Sequence, residues 1–190
     1  MTDPQIMEAV RDGRVEQLAI LFERHHVSLY NFFLRMTGNP AASEDLVQDV
    51  FIRILKYRTT YQGEDKFVVW MYKIGRNAHI DYLRKRKSVL ALEDGGMEAV
   101  ATGPGPEEAV ERDREAALVT RAMAQLSPKK QEILVLSRFQ NLKYREIADL
   151  LDCPVGTVKG MVHRAVEELG EIYHRMTAVS VHPEECRHEV

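Results

Sequence analysis

Cysteine is scarce in this sequence: Cys153 and Cys186 are the two in 190 residues, far apart and in no CxxC spacing. That excludes a disulfide framework and a standard zinc site, and leaves reduced thiols as the expectation. Long apolar runs are also missing, since nothing approaches the roughly 20 residues of a membrane span. The start, MTDPQIMEAV, carries neither a basic leader nor an apolar signal core, so a cytoplasmic chain without membrane insertion is expected. No stretch alternates with period two for long enough to suggest a strand. Neither a histidine spacing nor a glycine-rich phosphate loop accompanies the carboxylates, so no enzyme site, metal or cofactor is indicated. The net charge of -3 and pI near 6.2 exclude a wholly basic nucleic-acid protein, although a whole-chain sum hides polarised segments.

What is present is helical periodicity. Apolar residues recur at three and four positions almost throughout, and 45% hydrophobic residues suffice for one medium core or two small ones. The fold class is all-α, as two small helical domains. Residues 1–87 form the first: a short helix ending at Asp12-Gly13, a long one through Leu18 to Met36, and a stop at Gly38-Asn39-Pro40. A third helix is predicted over Ser43 to Lys56, then a polar loop Tyr61-Gln62-Gly63-Glu64-Asp65, then a fourth helix from Phe67. Residues 88–116 hold eight acidic and two basic residues around Gly103-Pro104-Gly105-Pro106, a segment able to bury little, and read as an acidic flexible linker. A second helical domain follows over 117–173, broken at Ser127-Pro128, Gln140-Asn141 and Asp152-Cys153-Pro154, with a tail over 174–190.

In the second domain, YREIADLLDCPVGTVKGMVHRAVEEL places Ile147, Ala148 and Leu151 on the inner face of one helix and Val158, Val162, Ala165 and Leu169 on that of the next. The small Ala148 permits a close, steep crossing, as a helix-turn-helix requires. Thr157, Lys159, Gly160, Met161, His163 and Arg164 are left facing outward, a set suited to phosphates and base edges. An ordinary helical hairpin with a solvated charged face is the alternative.

In the first domain, FVVWMYKIGRNAHIDYLRKRKS puts Phe67, Met71, Ile74, Ala78 and Tyr82 on a core arc, and Lys73, Arg76, Asn77, Ile80, Arg84 and Lys87 on another, with Trp70 at its border. Six basic residues against Asp81 between positions 70 and 87 make a stripe that suits a nucleic-acid backbone. Asn77 could read a base edge where lysine would hold only phosphate. Trp70 is either core or a base contact. The preceding helix, SEDLVQDVFIRILK, has an apolar arc of Leu46, Val47, Val50, Phe51, Ile54 and Leu55, opposite Asp45, Gln48, Asp49 and Ile52. Carboxylates around an exposed isoleucine repel DNA and suit a basic protein surface.

Taken in order, DLVQDVFIRILK, YQGEDKF, WMYKIGRNAHIDYLRKRK, the acidic segment and LSPKKQEILVLSRFQNLKYREIADLLDCPVGTVKGMVHRAVEEL resemble the bacterial sigma factors of the extracytoplasmic-function type, in the sigma-70 family of RNA polymerase initiation factors. The resemblance spans about residues 10–172. It implies that Asp45, Gln48, Asp49 and Ile52 dock on the clamp helices of core RNA polymerase. It also implies that the loop with Tyr61, Gln62, Gly63 and Lys66 holds a flipped base of the promoter minus-ten element beside Asn77, with Lys73, Arg76 and Arg84 on the melted strand; Trp70 is counted with this minus-ten set as a candidate base contact. The final helix, through Thr157, Lys159, Gly160, His163 and Arg164, with Lys143 ahead of the preceding helix, would read the minus-thirty-five element while the domain rests on the polymerase flap. An anti-sigma factor is implied as a further partner.

Three departures from the family pattern concern promoter choice more than role: Gly160-Met161 in place of serine and arginine, Gly75 in place of alanine, and Asp152 in place of a turn glycine. The tail residues His182, Cys186 and His188 fit no standard metal site. A free-standing dimeric helix-turn-helix regulator is the rival reading, and it leaves the acidic helix unexplained.

Overall fold

The computed structural model describes residues 1–63, 66–92 and 112–179, with side chains described up to Ser88 and again from Glu115 to Ala178. Among the described residues every regular element is helical. The loop residues Glu64 and Asp65, most of the acidic segment and the tail with His182, Cys186 and His188 lie outside them.

The first domain contains α1 (Asp3–Arg11), α2 (Leu18–Thr37), α3 (Pro40–Tyr57) and α4 (Phe67–Leu92). Gly38 ends α2 in the left-handed region at φ 65°. Asn39 then caps α3, its side-chain oxygen accepting from Ala42 N at 3.0 Å. Pro40, with no N–H to lose, takes the first helical position. The third helix therefore starts three residues before the predicted Ser43: the Gly-Asn-Pro stop is also a start.

Helices α2 and α3 pack against each other, and α4 packs against α3. Phe32, Phe33, Leu29, Val50, Ile54, Phe67 and Met71 are shielded from water. Each such side chain contributes roughly 1.5–3 kcal/mol by burial. The core face of α4 differs from the predicted arc. Tyr72, Gly75 and His79 join Phe67, Met71 and Ala78 inside, whereas Ile74 and Tyr82 are half-buried. Gly75 lies where an added Cβ would sit 3.4 Å from Phe33 and 3.7 Å from Leu29 and Val50, so α4 sits close upon α2 and α3.

The second domain contains α5 (Arg112–Met123), α6 (Pro128–Leu134), α7 (Tyr144–Leu151) and α8 (Val155–Val179). Helix α4 thus runs to Leu92 and α5 starts at Arg112, both inside the stretch read as linker, and α8 continues past Tyr173. Helix α8 is the spine against which α5, α6 and α7 pack, through Val158, Val162, Ala165 and Ile172. Helix α6 passes directly into a π-helical turn at Val135–Phe139, closed by Gln140 N donating to Val135 O at 3.0 Å. The chain reverses at Asn141, which takes φ 53°. Leu150 rather than Leu151 is fully inside α7.

The second domain rests on the first. Helix α7 lies against α4, and α6 with its π-turn lies against α2.

Candidate nucleic-acid interface

The basic stripe of α4 is partly as predicted. Lys73, Asn77 and Arg84 are exposed, Arg84 with 78% of its side chain in solvent. Arg76 is not free: its Nε donates to Glu132 Oε1 on α6 at 2.9 Å. Burial raises the pKa of Glu132, and the neighbouring Arg76 charge offsets part of that rise.

The loop before α4 carries Gln62 and Lys66 outward. Tyr61 instead turns inward, 3% exposed, its ring 5.3 Å from Trp70 and 6.3 Å from Phe67. Its side chain thus belongs to an aromatic cluster of the first domain's core. Gly63 adopts φ 82°, and a Cβ there would meet Glu8 Oε1 at 3.0 Å. Arg11 Nη1 donates to Tyr61 O at 3.4 Å. Helix α1, to which the sequence assigned no role, therefore braces the loop from behind. Trp70 is half-buried, serving the core with one edge and the surface with the other.

On α3, Asp45, Gln48 and Ile52 are exposed, Ile52 to 66%, and Asp49 is half-exposed beside them. Asp49 accepts from Arg53 Nε at 3.0 Å, and Arg53 Nη1 donates onward to Asp81 at 2.8 Å on α4. These bonds, that from Asp49 first, raise the Arg53 pKa, and the Arg53 hydrogen bond lowers that of Asp81. The i,i+4 spacing of Asp49 and Arg53 was a legible sign of this pair.

In the helix-turn-helix, Glu146 accepts from the Lys143 backbone N–H at 2.6 Å, fixing the start of α7. Asp152 ends it in the left-handed region, φ 51° and ψ 52°, with Cys153 N donating back to Ala148 O at 3.0 Å. Helix α8 then presents Thr157, Lys159, His163 and Arg164 to solvent along one face. Met161, predicted outward with them, is half-buried against the core. Gly160 supports no packing contact: an added Cβ would meet only the Arg164 guanidinium, at 3.8 Å.

Between the loop, α4 and the turn of the second domain lies a cleft of about 620 Å³, bordered by Lys66, Trp70, Lys73, Asp149 and Cys153. It sets the loop before α4 and Lys73 against the end of α7 and the turn of the helix-turn-helix. Sequence spacing carried no sign of this juxtaposition.

Family models match both halves: sigma-70 region 2 over residues 21–89 and sigma-70 region 4 over residues 116–169. The RNA polymerase sigma factor CarQ of Myxococcus xanthus is 31% identical over 166 residues, covering 87% of this chain and 94% of that one. The ECF RNA polymerase sigma factor SigW of Bacillus subtilis (strain 168) is 31% identical over 172 residues, covering 86% and 92%. Among solved structures, the sigma factor RpoE in complex with the anti-sigma factor NepR, from Bartonella quintana, shares the fold with a TM-score of 0.68 and 23% identity over 81% of this chain and 94% of that one. This chain belongs to the extracytoplasmic-function group of the sigma-70 family of RNA polymerase sigma factors.

Proposed function

We propose that this chain binds core RNA polymerase, directs promoter-specific initiation, and is held in check by an anti-sigma factor, as the complex of its Bartonella structural neighbour with an anti-sigma factor suggests by analogy. It acts as a binding factor in the cytoplasm and carries no catalytic centre of its own. The observation that carries this reading is that the first domain turns opposite chemistries to solvent from two packed helices: carboxylates around Ile52 on α3, and Lys73, Asn77 and Arg84 on α4. The α3 face suits a basic protein surface, and burying an exposed isoleucine ringed by charge gives both affinity and register. The α4 face suits a melted strand, with lysine and arginine on phosphates and Asn77 on a base edge.

In this reading the first domain, with Gln62 and Lys66 at its loop, takes the minus-ten element. The α8 face of Thr157, Lys159, His163 and Arg164 takes the minus-thirty-five element in the major groove, with Lys143 on a flanking phosphate. No helix among the described residues is long and apolar enough to cross a membrane. The test is run-off transcription from a genomic fragment library with bacterial core polymerase, with and without this protein. New start sites sharing two spaced elements, lost on Ile52→Asp, are the expected result. Absence of both new transcripts and core binding overturns the reading.

A further inference from the structure

Helix α1 supports the loop before α4 at both of its ends. At the entry, Arg11 Nη1 donates to Tyr61 O at 3.4 Å, and its guanidinium is steadied by Nε donating to Asp12 Oδ1 at 3.1 Å. The 3-10 turn Arg58–Thr60, which leads into Tyr61, packs on the same helix. At the exit, Asp3 Oδ2 lies 2.7 Å from His25 Nε2 on α2, and the His25 ring lies 5.4 Å from that of Phe67, the first residue of α4. Asp3 Oδ1 accepts from Arg24 Nη1 at 2.7 Å, which fixes the carboxylate from its other side. Between these ends the Glu8 carboxylate stands against Gly63.

The packing of α1 does not need these polar contacts. Ile6, Met7, Ala9 and Val10 are at most 1% exposed, and they hold the helix to the first domain. Asp3, Glu8 and Arg11 are half-buried beside that face, each directed at the loop or at a residue that supports it. A surface loop with a left-handed glycine samples many conformations unless something outside it restrains it. Extruding a base costs its stacking, and a pocket already in shape returns that cost most selectively.

We propose that α1 is a positioning element for base selection. Arg11 at the entry and the Asp3–His25 pair at the exit hold the loop in one geometry, so that Gln62 and Lys66 meet the flipped base preformed. The helix acts through the loop, and it sets discrimination at that one base rather than overall promoter affinity. This rests on the assignment of the loop to the minus-ten element.

The test uses the full chain with bacterial core polymerase, on a promoter recovered by run-off selection and then randomised across its minus-ten element. Sequencing transcripts, each barcoded to its promoter, against the input gives the base preference at every position. Arg11→Met removes the donor at the entry and Asp3→Ala releases His25 at the exit, so a folding failure in one leaves the other. Each is expected to keep a melting temperature close to wild type and to reduce preference at one minus-ten position about three- to tenfold, with the other positions unchanged. A folded variant that keeps the wild-type preference overturns the proposal. So does a loss spread evenly over all positions, the signature of a helix that serves stability alone. Gln62→Ala separates the two layers. If it flattens the same position and the α1 variants do not, the loop reads the base without help from α1. If it too leaves every preference intact, the loop assignment has failed and the proposal falls with it.

Discussion

Arg53 joins Asp49 on its own helix to Asp81 on α4, at 3.0 and 2.8 Å, so the acidic face and the basic helix are oriented by one guanidinium. The pair is solvent-accessible, and such bridges contribute little to stability. Their use here is positional. Arg53→Met is expected to leave the melting temperature nearly unchanged while weakening core polymerase binding about three- to tenfold through a less ordered Asp49. Competition of the variant against wild type for fluorescently labelled core polymerase checks this, and equal binding would remove Arg53 from the interface account.

The glycines at 160 and 63 should respond in opposite directions. Gly160 sits inside α8, where an added Cβ meets only the flexible Arg164 guanidinium at ordinary contact distance, so Gly160→Ala is expected to stabilise the chain by about 0.5–1 kcal/mol. Gly63 combines a left-handed backbone with Glu8 at 3.0 Å, so Gly63→Ala is expected to destabilise by about 1 kcal/mol or more. Urea denaturation of both variants measures the two signs directly.

Asp152 holds the turn of the helix-turn-helix in a conformation that costs a non-glycine residue roughly 1–2 kcal/mol. Aspartate bears that cost better than most. Asp152→Gly is expected to raise the melting temperature and Asp152→Val to lower it, with the far-ultraviolet helical signal retained in the first. A neutral result for Asp152→Val would mean that the turn relaxes.

His79 is 5% exposed on α4, and burial lowers its pKa below the ordinary 6.5. The folded state therefore binds its proton less tightly than the unfolded chain. Its contribution to stability is complete above pH 6.5 and declines as the pH falls from there through the folded pKa, at no more than about 1.4 kcal/mol per pH unit. Comparing denaturation curves at pH 7.5 and 5.5 should show a loss that His79→Phe reduces.

Much of this architecture was readable from residue order. The stops at Gly38 and Asn141, the exposed set on α3 and the left-handed turn at Asp152 all follow from local chemistry that the sequence states openly. What it concealed depends on partners distant along the chain. Periodicity marks a residue as buried without saying by what, so Tyr72 was missed on α4: its neighbours are Phe32 and Ser28 on α2 and Gln140 beyond the π-turn. Helix α6 likewise reads as regular, and nothing local announces that its last turn is wound wider.

The two domains are halves of one covalent chain, and this changes the strength their contact needs. A few hydrogen bonds and two ion pairs, one of them half-exposed, would not hold two separate molecules together at cellular concentrations. Joined through residues 93–111, the halves meet at an effective concentration of order millimolar for a short tether, whatever the abundance of the protein. Closure on these terms is independent of dilution and of expression level. The arrangement of the two domains is therefore a property of the single chain, set by the faces that touch within it.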